Sequence, residues 1–513
     1  MSDAPVVETR DGKLRGLTTP HGLTFRGIPY GQDTGGTRRF LAPAAPIKWT
    51  GIRDATVFGH RAPQAGRTLP SVFDWLVSRH PSSEDCLVLN VSTRSLVGKM
   101  PVMVWLHGGG FLFGSTDIAL SDGGPLAAHA DVVVVTVNHR LSVFGFVGAP
   151  HDDPQFADSG NAGMLDLVLA LEWVRDNIAQ FGGDPGCVTV FGESGGAAKA
   201  AILMGMPCAT GLFHRAIIQS PSTGFRVQEA EDAWRFSKAL LKHLQIGSAG
   251  FGALQKVPAP DLLAAMASVV QAHDGADHFR PSIDGRSILA HPFYPQPAES
   301  IADIPLMIGT NSTEATFFLS QLADSDLTTE VARARAQRLM KLSETDADSL
   351  WQSYLANHSG ASPNDLLVLI ATDHAYRLTA IEGAEKKVEF GAAPVFLYQF
   401  DWTSAAGNGF LRSPHGAELP FVFGTTHVAQ ELLQGGSQVE AMRRQMMDAW
   451  TRFAAHGDPN GDGLPAWTRL RTTGRDTMVL DAPRTRMEAD PRGNDLTVMA
   501  RYPRFLPGSP YSF

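Results

Sequence analysis

Cysteine is scarce in this chain. Its three cysteines in 513 residues, Cys86, Cys187 and Cys208, form an odd count with no CxxC or metal-type spacing. A disulfide framework is not expected from them, and a reducing, cytoplasmic setting is the simplest reading. No apolar run reaches the ~18 residues of a membrane-spanning helix, and Met1 to Val7 lacks the basic start and apolar stretch of a signal peptide. Positive charge is not in excess either. The 43 Lys and Arg against 52 Asp and Glu leave a net charge of −9, which argues against nucleic acid, whose binding rests on clustered basic residues. The acidic residues are not gathered into a patch, so the charge speaks for solubility. Repeats and low-complexity stretches are also missing, and no linker divides the chain, so one domain over 1–513 is expected.

What remains is a composition with 43% hydrophobic and 19% charged residues, enough for a sizeable core. Val6–Thr9 and Lys13–Arg15 flank Asp11-Gly12, the signal of an antiparallel hairpin. From residue 100 the pattern changes. Val102–Leu106 and Val132–Val137 are continuous apolar runs of strand length, as expected for strands covered on both faces. Asn161–Phe181 carries Leu167, Leu171, Val174 and Ile178 on one helical stripe, stopped by Gly182-Gly183. Strand candidates follow at Val188–Phe191, Ile304–Ile308 and Val395–Phe400. Alternating strands and helices imply an α/β architecture with a mostly parallel sheet. The segments Val227–Ala272 and Thr328–Ala356 look helical and are expected to be excursions capping the active site. Leu69–His80, with Val72, Phe73, Trp75 and Leu76, is a candidate flap.

The chemistry starts at Gly192-Glu193-Ser194-Gly195-Gly196, which follows a buried strand and opens a helix. In that context G-x-S-x-G is a nucleophile elbow, in which small neighbours allow a turn tight enough to project the serine from the sheet's carboxyl edge. Upstream, His107-Gly108-Gly109-Gly110-Phe111 follows a strand, and its glycines can aim backbone N–H groups at a developing oxyanion. A dinucleotide loop is excluded because Phe113 occupies the third glycine position of G-x-G-x-x-G. The triad order Ser, acid, His makes Glu314, after strand Ile304–Ile308, the best-placed carboxylate. Asp303 belongs to that strand's opposite end, and Asp324 and Asp326 are more distant alternatives. Among 17 histidines, His415 stands out between Pro414 and Gly416 in a loop after Val395–Phe400; His374 and His427 are its rivals. Asp458–Gly463 imitates the start of a calcium loop, but Arg469 stands where the bidentate Glu belongs, so it reads as a turn.

Several blocks resemble the type-B carboxylesterase/cholinesterase family, with its bacterial, para-nitrobenzyl-esterase-like members in view. They are Phe25–Tyr30, Trp49–Thr56, Ser83–Asn90, Phe181–Pro185 with Phe191–Ser194, Gly457–Asn460 and Leu464–Trp467. The resemblance implies the α/β-hydrolase fold and a serine carboxylesterase with nucleophile Ser194, acid Glu314 and base His415. It implies oxyanion donors at Gly109, Gly110 and Gly195, and supporting roles for Glu193 and for Ser220, the latter beside the acid. It also implies structural ion pairs Arg39–Glu84 and Arg140–Asp166. Three departures stand out. Gly195 replaces the usual alanine, which would loosen or widen the oxyanion site. Ala62 takes the place of a disulfide partner, leaving Cys86 a free thiol. His139 and Leu167 replace residues more often Tyr and Gln.

Phe111, Leu112, Phe113, Phe317 and Phe318 are expected to line an apolar substrate pocket. The expected substrate is a small-molecule ester, with a carbamate or aryl amide as the alternative. No metal or organic cofactor is implied, no nucleic-acid or membrane partner is expected, and a monomer is the simplest assembly. A binding protein without catalysis is disfavoured because all three triad residues are present.

Overall fold

The computed structural model describes residues 4–502 apart from 222–224, 226, 248–249 and 273–278. In chain order its strands are β1 (Val6–Glu8), β2 (Lys13–Arg15), β3 (Leu17–Thr19), β4 (Gly22–Pro29), β5 (Ile52–Asp54), β6 (Val88–Thr93), β7 (Met100–Leu106), β8 (Val133–Val137), β9 (Gly183–Glu193), β10 (Arg215–Gln219), β11 (Gln228–Glu229), β12 (Ser282–Ile283), β13 (Leu306–Asn311), β14 (Val395–Phe400), β15 (Asp476–Leu480) and β16 (Arg486–Ala489). β1 and β2 form the expected antiparallel hairpin, and β5 joins β2 in parallel. Eleven strands build the central sheet in the order β16-β15-β14-β13-β10-β9-β7-β8-β6-β4-β3. From β8 to β15 every pairing is parallel, while both edges are antiparallel.

The continuous apolar runs follow from burial on two faces. Along β7, Val102, Val104 and Leu106 pack into one layer, which holds the helix Ala162–Asn177. Met103 and Trp105 point into the other, where the helix Ser437–His456 lies. A third cluster joins Phe144 and Phe156 to the helices Ala230–His243 and Ala259–Ala272. At about 25 cal/mol per Å² of apolar surface, such double-sided burial dominates the folding energy.

Several boundaries differ from the sequence expectation. β13 starts at Leu306 rather than Ile304 and runs on to Asn311; Pro305 has no N–H for a ladder. Thr328–Ala356 is two helices, Thr329–Met340 and Glu344–Asn357, separated by left-handed Lys341 and by Ser343, which caps Asp346 N. Val227–Ala272 likewise divides into two helices around a 3-10 turn, Phe251–Lys256, and its residues 248–249 lie outside those described. The expected ion pairs form, Arg39–Glu84 at 2.5 Å and Arg140–Asp166 at 2.6 Å. Cys86 is a buried free thiol. At the calcium-loop imitation, Asn460 N donates to Asp458 Oδ1, which makes it a turn. Among the described residues no helix is long and apolar enough to cross a membrane.

Register brings the carboxyl ends of the parallel strands to one edge. Leu106 pairs with Gly192, Gln219 with both Glu193 and Gly309, and Asn311 with Phe400. Loops leaving that edge converge, which is where ligands bind in open α/β sheets.

Candidate active site

β9 ends at Glu193 and a helix runs from Gly195 to Met204, leaving Ser194 to reverse the chain at φ 56° and ψ −118°. That conformation is costly for a residue with a side chain. Its neighbours must be bare. A Cβ on Gly192 would lie 2.5 Å from the Gly196 carbonyl, and one on Gly196 would lie 1.9 Å from the Leu106 oxygen. Ser194 N donates to Gln219 O at 2.9 Å, anchoring the turn to β10. Ser194 thereby lines a cavity of about 250 Å³.

The loop after β7 begins beside this turn. Gly109 and Gly110 take φ of 88° and 66°, and Phe113 N closes onto Gly109 O at 3.1 Å. Among the described residues the N–H groups of Gly109, Gly110 and Gly195 meet no protein acceptor. A Cβ on Gly195 would sit 2.1 Å from Gly110 O and 2.5 Å from Gly110 N. Glycine therefore does not widen the site; the Gly110 backbone moves into the room that an alanine methyl would fill. From behind, fully buried Lys199 donates to His107 O at 2.9 Å. His107 stacks on His139 at 4.9 Å. Burial, reinforced by Lys199, pushes His107 down to about 3 and His139 well below its ordinary value, so both rings are neutral.

Glu314 opens a 3-10 turn just after β13 and is fully buried. Its Oε1 accepts from Asn311 N at 2.7 Å, and its Oε2 lies 2.6 Å from His415 Nδ1. His415 Nε2 lies 2.9 Å from Glu193 Oε1, an oxygen with no aligned hydrogen-bond partner. Burial alone would lower the imidazole, but Glu193 and Glu314 together outweigh it and raise His415 to about 10. Behind them buried Glu418 accepts from Gln219 Nε2 at 3.0 Å and Asn311 Nδ2 at 2.8 Å. Burial first, then the charges of Glu193 and Glu314, raise its carboxyl to about 8.

Ser194, Glu193, Glu314, His415 and the three glycines therefore come together as the motifs suggested. Two expected residues do not. Ser220, at φ 49°, has a buried Oγ without a hydrogen-bond partner among the described residues, and the backbone of Asn311 takes its place beside the acid. Phe111 is buried in the core, with its ring 5.1 Å from Phe146, whereas Leu112, Phe113, Phe317 and Phe318 line the cavity. The rivals stay elsewhere: His374 is buried in a π-helical turn and His427 sits in the turn Thr426–Ala429. Tyr376, whose ring lies 4.6 Å from that of His415, and Arg67 also line the cavity. Neither belongs to a local motif; a helical segment and a Gly/Arg loop give no hint of facing a serine in another part of the chain.

Residues 3–499 match the model of the Carboxylesterase family. The chain belongs to that family. It is a carboxylic ester hydrolase of the α/β-hydrolase fold. The para-nitrobenzyl esterase of Bacillus subtilis (strain 168) is 35% identical over 495 residues, covering 95% of this carboxylesterase and 96% of that protein. A phenmedipham hydrolase of Pseudarthrobacter oxydans is 32% identical over 495 residues, 94% and 96% of the two chains. Among solved structures, the Geobacillus stearothermophilus carboxylesterase EST55 at pH 6.2 superposes with a TM-score of 0.82 at 35% identity, covering 96% of this chain and 99% of that one.

Proposed function

We propose that this carboxylesterase works through an acyl-enzyme on Ser194, with His415 as general base and acid and Glu314 orienting it. Ser194 Oγ attacks the ester carbonyl carbon as its proton passes to His415 Nε2. The carbonyl oxygen takes up negative charge between the N–H groups of Gly109, Gly110 and Gly195, whose lack of any other acceptor supports that role. The ester C–O bond then breaks, and His415 delivers its proton to the leaving alkoxide. Water gives a proton to His415 and attacks the acyl carbon, and the acid leaves as Ser194 regains its hydrogen. The observation that carries this reading is the 2.6 Å contact of Glu314 with Nδ1 of His415, a histidine that lines the same cavity as the elbow serine.

Carbamate or aryl-amide hydrolysis by the same residues is the second reading. It is favoured by the relative named phenmedipham hydrolase, and by a histidine raised to about 10, well suited to protonating a departing amine. The whole chain acts as one catalytic unit, supported by a sheet that runs from Leu17 to Ala489. A cytoplasmic monomer fits three unpaired cysteines.

An aryl acetate, an N-methyl carbamate and an acetanilide on matched aryl groups test the proposal. Fast acetate turnover, reduced by about 10⁴-fold or more in Ser194→Ala, is the expected result. Carbamate or anilide turnover matching it, and lost in the same variant, would favour the second reading. Ester turnover that survives in Ser194→Ala would remove Ser194 as nucleophile.

A further inference from the structure

The reaction steps leave one cation of the cavity without work. Arg67 is half-buried in the loop ahead of the 3-10 helix Ser71–Leu76 and lines the same cavity as Ser194 and His415. Its Cζ lies 5.6 Å from the ring centroid of Phe113 and 5.7 Å from that of Phe317. The Phe317 ring lies 6.0 Å from that of His415. The guanidinium is thus held one aromatic ring away from the imidazole.

Three buried arginines are matched to carboxylates. Arg39 has Glu84, Arg140 has Asp166, and Arg377 has Asp373. Arg61, also on the cavity wall, spends its N–H groups on the carbonyls of His80 and Ser78. Among the described residues Arg67 makes no ion pair and no hydrogen bond; its neighbours are rings. Burial lowers its pKa, opposed by the field of Glu193 and then of Tyr376. A half-buried cation without a protein partner carries part of the cost of desolvation, and its fork of donors matches a carboxylate in two-point contact. The flanking aromatic faces hold the guanidinium and shield part of it from water, which strengthens any pair made there.

We propose that Arg67 is an anion-recognition residue, and that the esters favoured by this site carry a carboxylate about one ring's width from the scissile carbonyl. The inference rests on the esterase reading of the cavity. The competing role is a counter-charge for Glu193 alone, which would affect charged and neutral substrates alike.

Two matched pairs separate these roles. One is 4-acetoxybenzoate against 4-acetoxybenzamide, with the charge on the alcohol side; the other is monomethyl terephthalate against methyl 4-carbamoylbenzoate, with the charge on the acid side. The readout is the ratio of kcat/KM, anion over neutral isostere, so a general loss of activity cancels. That ratio is expected to fall about tenfold from wild type to Arg67→Gln in at least one pair, mainly through KM, with partial recovery in Arg67→Lys. The pair that responds identifies the side on which the carboxylate lies. An unchanged ratio in both pairs overturns the proposal. Calorimetric binding of both anionic esters to Ser194→Ala, with and without Arg67→Gln, needs no turnover. Weaker binding without the arginine is expected, and equal affinity counts against the proposal. Absence of all ester turnover in the wild type would instead strike the esterase reading, and the binding measurement would still decide the role of Arg67.

Discussion

Glu193 and Glu314 stand against the two nitrogens of one imidazole, at 2.9 and 2.6 Å. Glu314 grips Nδ1 and fixes the ring, which a general base requires. Glu193 instead attracts the proton at Nε2, the nitrogen that in the proposed mechanism must be bare to accept from Ser194. The pair raises His415 to about 10, so at neutral pH the resting imidazole is charged and the base form is the minor one. Activity on an ester should therefore rise with pH across the neutral range and into the alkaline. Glu193→Gln removes one carboxylate while keeping its shape, and the limb of kcat/KM against pH should move at least about one unit toward acid. A limb that stays in place would mean that Glu314 alone sets the base. The residues of the proposed triad were legible because each sits in a short motif: a glycine-flanked serine, a carboxylate after a strand, a histidine in a late loop. Arg67, Lys199 and Tyr376 were not, since their places at the site arise only where distant segments meet.

At the scale of elements, the site is a contact between two turns. The loop after β7 and the turn after β9 approach until Gly110 and Gly195 leave no room for a methyl group. Lys199 from the elbow helix holds His107 O on the far side, so the loop is seated from both directions. Gly195→Ala should push Gly110 away and spoil the aim of the N–H groups proposed as oxyanion donors. A loss of about 10²-fold in kcat with a smaller change in KM is expected for one misplaced donor, read from steady-state kinetics on an aryl acetate. Full activity in the variant would show that the loop reseats at little cost. The family resemblance marked Gly195 as unusual, yet the direction of its effect was hidden from sequence, because it depends on the path of a loop some 85 residues earlier (Gly110 against Gly195). Element boundaries failed for local reasons. Ser343-Glu344-Thr345-Asp346 carries a helix-start signal inside the segment Thr328–Ala356, whose sequence reads as one helical stretch, and Pro305 displaced the start of β13. The long apolar strands were legible as continuous apolar runs of strand length, and the helix Ala162–Asn177 from its apolar stripe at helical spacing.

For the whole molecule, placing this cluster inside the sheet's carboxyl edge links folding to protons. His415 is raised from an ordinary 6.5 to about 10. Its contribution to stability is complete below about pH 6.5 and is lost as pH rises through about 10. Glu418 is raised from 4.5 to about 8. Because it is an acid whose neutral form suits the fold, its cost is absent below about pH 4.5 and grows until about pH 8. Both groups act in the same direction over the neutral range. At the acid end Asp495, lowered by Arg492 and by hydrogen bonds from His358 and Asn357 against the opposing effect of burial, acts the other way: its stabilisation is lost as pH falls below the ordinary carboxylate range. The melting temperature should therefore peak in mildly acidic solution and decline from about pH 6 to pH 10. Glu418→Gln, which cannot ionise, should flatten the part of the decline between about pH 5 and 8 and leave the His415 part at higher pH. Calorimetric scans of both proteins at one-unit pH intervals test this. A wild-type melting temperature that is level or rising from pH 6 to 9 would show that the buried cluster relaxes, or admits water, before its protons are lost.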